Sequence, residues 1–186
     1  MQDELKMVPE MESSIPEELI QLEANGGVYA VWMVLEHCDI RVDISQLIRL
    51  CRYDAEDGTF TVQLALALKQ LGFEVVFYTS EDLHQHEKER LAFKEAELLN
   101  MPVRDTLSYA QIQQAYEQGA FVIVYYDTLE GVGNHSLIYS MDTEEICFFD
   151  SFDAMPADVF EQQRHADGIC AQVIVAYAPA TEIRFS

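Results

Sequence analysis

A histidine, an aspartate and a helix start with a carboxamide just upstream are the groups in this chain that could do chemistry. His135 and Asp150 lie in two β-prone runs, Ser136 to Met141 and Ile146 to Phe149, separated by the polar Asp142-Thr-Glu-Glu145. That separation is a hairpin signal. With the turn centred between Asp142 and Glu144, cross-strand partners have numbers totalling about 285 to 287, which puts His135 opposite Asp150 or a near neighbour. A histidine held beside a carboxylate is a general base with its orienting group. Far upstream, Gln21-Leu-Glu-Ala-Asn25-Gly26-Gly27 opens the apolar run Val28 to Leu35, which reads as a helix starting at or near residue 26. A thiolate at such a start is stabilised by the helix dipole and an adjacent imidazolium, and a donor upstream can hold the oxyanion of acyl transfer. Residue 26 is glycine, which has no side chain to attack a carbonyl.

The four cysteines do not replace the missing thiol. Cys38 follows Gly26 by twelve positions, a displacement of roughly 18 Å along a helix. Cys147 precedes Asp150 by an odd offset, which sends the two side chains to opposite faces of a strand. Cys51 and Cys170 stand in apolar surroundings and read as core thiols, and all four fit buried fillers in a reducing compartment.

The elements around these groups are legible from periodicity. Helices are expected near 27–38, 44–52, 61–71, 81–99 and 108–118, with a short one near 156–164. Strands are expected near 73–79, 121–127, 135–141, 145–151 and 171–178. Asp43 or Ser45, Ser80 and Ser108 are candidate N-caps, and Asp167-Gly168 stops the short helix. Helices come mostly first and strands mostly last, which predicts an α+β fold with antiparallel pairing. Domain organisation reads as an acidic lead over 1–16, expected to be partly disordered, and one domain over 17–186.

The run Gln21 to Leu35 resembles the start of bacterial C39-like cysteine peptidases, members of the papain-like clan. Aligning Met33-Val34-Leu35 with the end of that segment places the family's cysteine on Gly26 and its following glycine on Gly27. Gly58-Thr59 before Leu64 to Tyr78 is similar to the family's helix, lone glycine and strand unit. Ala110 to Tyr126 and the segments around His135 and Asp150 also resemble its later blocks, so the likeness spans about Gln21 to Ser151. The resemblance implies a papain-like fold with N-terminal helices on a mainly antiparallel sheet. It implies Gln21 as oxyanion-hole donor, Gly26 in the nucleophile slot, His135 as general base and Asp150 as its orienter. Asn25, Gly27 and Asn134 are the adjoining binding positions.

Three functions remain open at this level. One is a papain-like peptidase, or a related amide hydrolase, deamidase or acyltransferase, with its cysteine replaced by deliberate substitution or natural loss. Another is a natural pseudopeptidase that binds a peptide or protein without cutting it. The third is a structural or interaction protein that shares the fold only.

Composition narrows the partners. The 186 residues, 49% apolar, suffice for one packed domain. The net charge of −22, from 33 acidic and 11 basic residues, opposes binding to nucleic acid or anionic lipid and favours a basic or neutral peptide partner. No apolar run is long enough to span a membrane, and Met1 to Glu12 lacks the features of a secretory signal. A cytoplasmic location, or delivery without a cleaved signal, is expected. No cofactor is expected: Gly131-Val-Gly133 is not a phosphate loop. No metal is expected either, because His84 and His86 are two residues apart on a charged helix and share no face.

Overall fold

The computed structural model describes residues 15–128 and 130–180, leaving most of the acidic lead outside the described residues. A short helix, α1 (Glu17–Ile20), is anchored by buried Leu19. The apolar run forms α2 (Gly26–His37), buried along nearly its whole length because Val28, Val31, Met33, Val34 and Leu35 carry no polar face. Then follow α3 (Ile44–Leu50), α4 (Thr61–Gln70), β1 (Glu74–Tyr78), α5 (Glu87–Leu98) and the two-residue β2 (Val103–Arg104). The second half runs α6 (Tyr109–Glu117), β3 (Phe121–Asp127), β4 (Gly133–Met141), β5 (Glu145–Phe148), β6 (Ser151–Pro156), α7 (Ala157–Arg164) and β7 (Val173–Tyr177).

The seven strands form one sheet in the order β2-β1-β7-β3-β4-β5-β6, antiparallel except for β1 with β2. Period-two alternation divides its residues between two cores. Ile123, Leu137, Ile174 and Ala176 face α2 and α4, whereas Val122, Val124, Ile138, Val173 and Val175 belong to the core with Ile112 of α6 and Phe160 of α7. Helices on both faces of a largely antiparallel sheet make this an α+β fold.

Several boundaries differ from the sequence expectation for identifiable reasons. The helix expected from residue 81 starts at Glu87, because His86, not Ser80, accepts the Lys88 amide as the cap. Asp43 and Ser108 cap α3 and α6 as expected, Ser108 in a reciprocal capping box with Gln111. The strand expected over 145–151 is two, β5 and β6, joined by a tight turn at Phe149 and Asp150. Phe149 nevertheless donates its amide to Leu137 O, so Asp150 stays beside β4.

The start of α2 meets β4 very closely. A Cβ at Gly27 would overlap Thr59 Oγ1 and sit 2.9 Å from Leu64 Cδ1 and 3.3 Å from His135 Nδ1. Glycine is therefore required at this position by packing. Gly27→Ala should lower the unfolding free energy by about 1–3 kcal/mol through overpacking, read from the urea midpoint at unchanged slope.

Candidate active site

The first turn of α2 borders two consecutive residues of β4, and their side chains go opposite ways. A Cβ at Gly26 would lie 2.6 Å from Asn134 Oδ1 and 3.0 Å from the His135 carbonyl oxygen. Asn134 is thus the side chain that faces residue 26. Its amide nitrogen donates to Tyr126 Oη at 3.2 Å, to Ser136 Oγ at 3.1 Å and to Asp150 Oδ2 at 3.4 Å. Ser136 Oγ donates to Asp150 Oδ2 at 2.9 Å and meets Tyr126 Oη at 3.0 Å. Gly26, Asn134, Ser136, Tyr126 and Asp150 form one polar cluster at the helix start.

His135 is not hydrogen-bonded to Asp150. The reason is register: β4 and β5 pair Ile138 with Phe148, with a bulge before Ser140, and two steps further out this brings Ser136 to Asp150. A one-residue offset turns a strand side chain to the other face. His135 accordingly stacks on its cross-strand partner Tyr125, ring centroids 4.4 Å apart, and is only 7% exposed.

The protonation of His135 follows from its partners. Nε2 lies 2.9 Å from Thr61 Oγ1, which is 2.5 Å from Gln172 Oε1, and Gln172 Nε2 donates to Glu89 Oε1 at 3.0 Å. The amide oxygen of Gln172 can only accept, so the Thr61 hydroxyl donates to it. Having used its one proton, Thr61 must accept from His135. His135 is therefore the Nε2–H tautomer, with the Nδ1 lone pair toward Gly27. Burial disfavours its charged form and pushes its pKa down to about 3. A base already held by a hydroxyl and this hard to protonate is a poor proton shuttle at neutral pH.

Asp150 is exposed on one side. The water displaced around its carboxylate raises its pKa, and the hydrogen bonds from Ser136 and Asn134 partly offset this. Gln21 is exposed and donates to Glu17 Oε1 at 2.9 Å. Asn25 donates its amide to Leu19 O at 2.9 Å, holding α1 against the entry to α2. The structure thus joins Gly26 to Asn134 and Asp150, leaves Gln21 bonded within α1 and places His135 on the other side of β4. Ser136, Tyr126, Thr61, Gln172 and Glu89 were not singled out from sequence. The hairpin register alone signalled Ser136, since its central value pairs residue 136 with 150.

Cys51 is buried and its thiol is pushed up to about 12 by desolvation, while Cys38, Cys147 and Cys170 are half-buried free thiols. Cys38, Cys147 and Cys170 are therefore less enclosed than the buried fillers expected of all four cysteines, and only Cys51 is fully buried. No group of three or more His, Cys, Asp or Glu side chains among the described residues is arranged to hold a metal ion. No helix among them is long and apolar enough to cross a membrane.

The architecture is thus an α+β fold in which the start of the apolar helix α2 lies against β4 of the β4–β5 hairpin. No protein-family model matches the sequence, and no curated protein matches it. In structure the chain is similar to the peptidase domain of Streptococcus ComA, a bi-functional ABC transporter involved in a quorum sensing pathway. The TM-score is 0.52 at 15% identity, over 86% of this chain and 95% of that one. The likeness at this identity is one of fold.

The buried neutral histidine makes stability pH-dependent in a defined direction. Its pKa is lower in the folded chain than the ordinary value near 6.5, so the unfolded chain takes up the extra proton and stability falls as pH drops below about 6.5. Glu89 and Asp150, whose values are raised, act in the opposite sense. Between pH 7 and pH 5 the native chain should lose about 2 kcal/mol more than a His135→Gln variant, measured by urea unfolding of both at each pH.

Proposed function

We propose that the chain is a C39-type scaffold that docks a peptide or protein segment and does not cleave it. The observation that carries this reading is the apposition of Gly26 to Asn134. The helix start lacks a nucleophile, and the side chain facing it is an amide, which neither takes nor gives a proton in the neutral range. A cysteine peptidase altered at one position alone would keep an imidazole there. The arrangement therefore favours natural loss of catalysis over a single substitution of the nucleophile. Asp150, left without a histidine, is tied instead into the Asn134–Ser136–Tyr126 cluster, which holds the rim in shape. The net charge of −22 favours a neutral or basic segment as occupant.

Two measurements test this. Against a pool of fluorogenic peptides the native chain should show no turnover, and Gly26→Cys alone should gain neither turnover nor a low-pKa thiol. The double variant Gly26→Cys/Asn134→His should acquire a thiol with a pKa at least about one unit below the ordinary cysteine value, seen in iodoacetamide labelling against pH. Turnover by the native chain, or a fully activated thiol in the single variant, would contradict the assignment of Asn134 to the base position. For binding, peptides selected from a displayed random library should lose about tenfold or more in affinity to Gly26→Trp. Selected peptides that bind both forms equally would place the docking surface elsewhere.

A further inference from the structure

On the other side of His135 from Asp150 lies a cavity of about 260 Å³, lined by Thr59, Asp82, His84, Glu89, Tyr125 and Gln172 among others. Its wall contains no lysine or arginine. Lys88 sits outside and bridges Asp54 at 3.1 Å and Asp57 at 2.6 Å, which neutralises the acidic side chain at the mouth. Neither Glu89 nor Asp82 has an ion-pair partner among the described residues, and burial raises the Glu89 pKa. Glu89 is only 6% exposed; its Oε1 accepts from Gln172, and its Oε2 has no hydrogen-bond partner among the described residues. Thr59 lines the same wall, but its Oγ1 is turned toward Gly27 and sealed there, without a partner. Asp82 Oδ1 accepts the His84 amide, and Oδ2 makes no hydrogen bond among the described residues.

A largely enclosed carboxylate with an oxygen open to the cavity and a second carboxylate beside it form an acceptor-rich pocket that favours donors and positive charge. The residues do not converge as metal ligands. The pocket walls instead include aromatic faces, Tyr125 stacked on His135 at 4.4 Å and Phe60 stacked on His86 at 5.0 Å. Acceptors set between aromatic faces suit an organic cation with several N–H donors.

We propose that this cavity binds an alkylammonium or guanidinium group, with Glu89 as the principal acceptor, Asp82 as the second and Tyr125 as the aromatic wall. Gln172 fixes the Glu89 carboxylate from behind, and Thr61 and His135 fix Gln172, so the acceptor is held in place before the cation arrives. Two sources carry such a group: a free polyamine, or the lysine or arginine side chain of a peptide.

Calorimetric titration of the full chain with spermidine, and separately with a blocked Ala-Arg-Ala peptide, distinguishes them. At least one probe should bind saturably, and the preferred probe names the source. Fully acetylated spermidine should not bind. Glu89→Gln should weaken the preferred probe by about tenfold or more, and Asp82→Asn should weaken it in the same direction. Asp82 is on the loop before α5, so that variant keeps the test decisive if Glu89→Gln does not fold. Absence of saturable binding by both probes would overturn the proposal. So would an affinity unchanged in Asp82→Asn and in every folded Glu89 variant. Either failure leaves the Gly26–Asn134 reading standing, since that is tested with other variants and other ligands.

Discussion

The close approach of the first turn of α2 to β4 is the constraint on which the rest of the site depends. Two consecutive glycines allow it. Gly27 has no room for a methyl group against Thr59, Leu64 and the His135 ring, and Gly26 brings the helix start to the side chain of Asn134. The apolar body of α2 fixes the depth of this contact by packing onto the same face of the sheet as Leu137 and Ile174. Any side chain large enough to act as a nucleophile must therefore displace the Asn134 amide first.

Burying a histidine under that helix is costly unless its polar atoms are met. Here the cost is offset by a chain of hydrogen bonds, His135 to Thr61 to Gln172 to Glu89, which fixes the tautomer and links the helix start to α4, α5 and the residue preceding β7. On the other face, Asn134, Ser136, Tyr126 and Asp150 satisfy one another. One strand thus separates two polar systems with different roles. One surrounds the start of α2, and the other reaches a cavity through Glu89 and Gln172.

Much of the architecture was legible in the sequence. The unbroken apolar run Val28 to Leu35, the Ser108 cap and the β-branched and aromatic run Phe121 to Tyr126 each specify their element locally, and the structure follows them. The hairpin was legible too, to within one residue. That one residue decided the site: period two means that an offset invisible to strand prediction moves His135 away from Asp150 and puts Asn134 before Gly26. The bulge between Ile138 and Ser140, which sets the offset, has no sequence mark. The Thr61–Gln172–Glu89 chain was hidden for a different reason, since its members come from three distant segments and only tertiary packing brings them together.

His135 is turned away from the Asp150 carboxylate and bonded to Thr61, while Asn134 faces Gly26. Long-range proton–nitrogen NMR correlation of the histidine side chains reports it directly. His135 should show a single Nε2–H tautomer whose shifts stay constant from pH 8 down to about 5, with proximity signals to Thr61 and Gly27. A His135 ring that titrates near pH 6 to 7 and shows proximity to Ser151 or the Asp150 side chain would contradict it, and would return His135 to the site at Gly26.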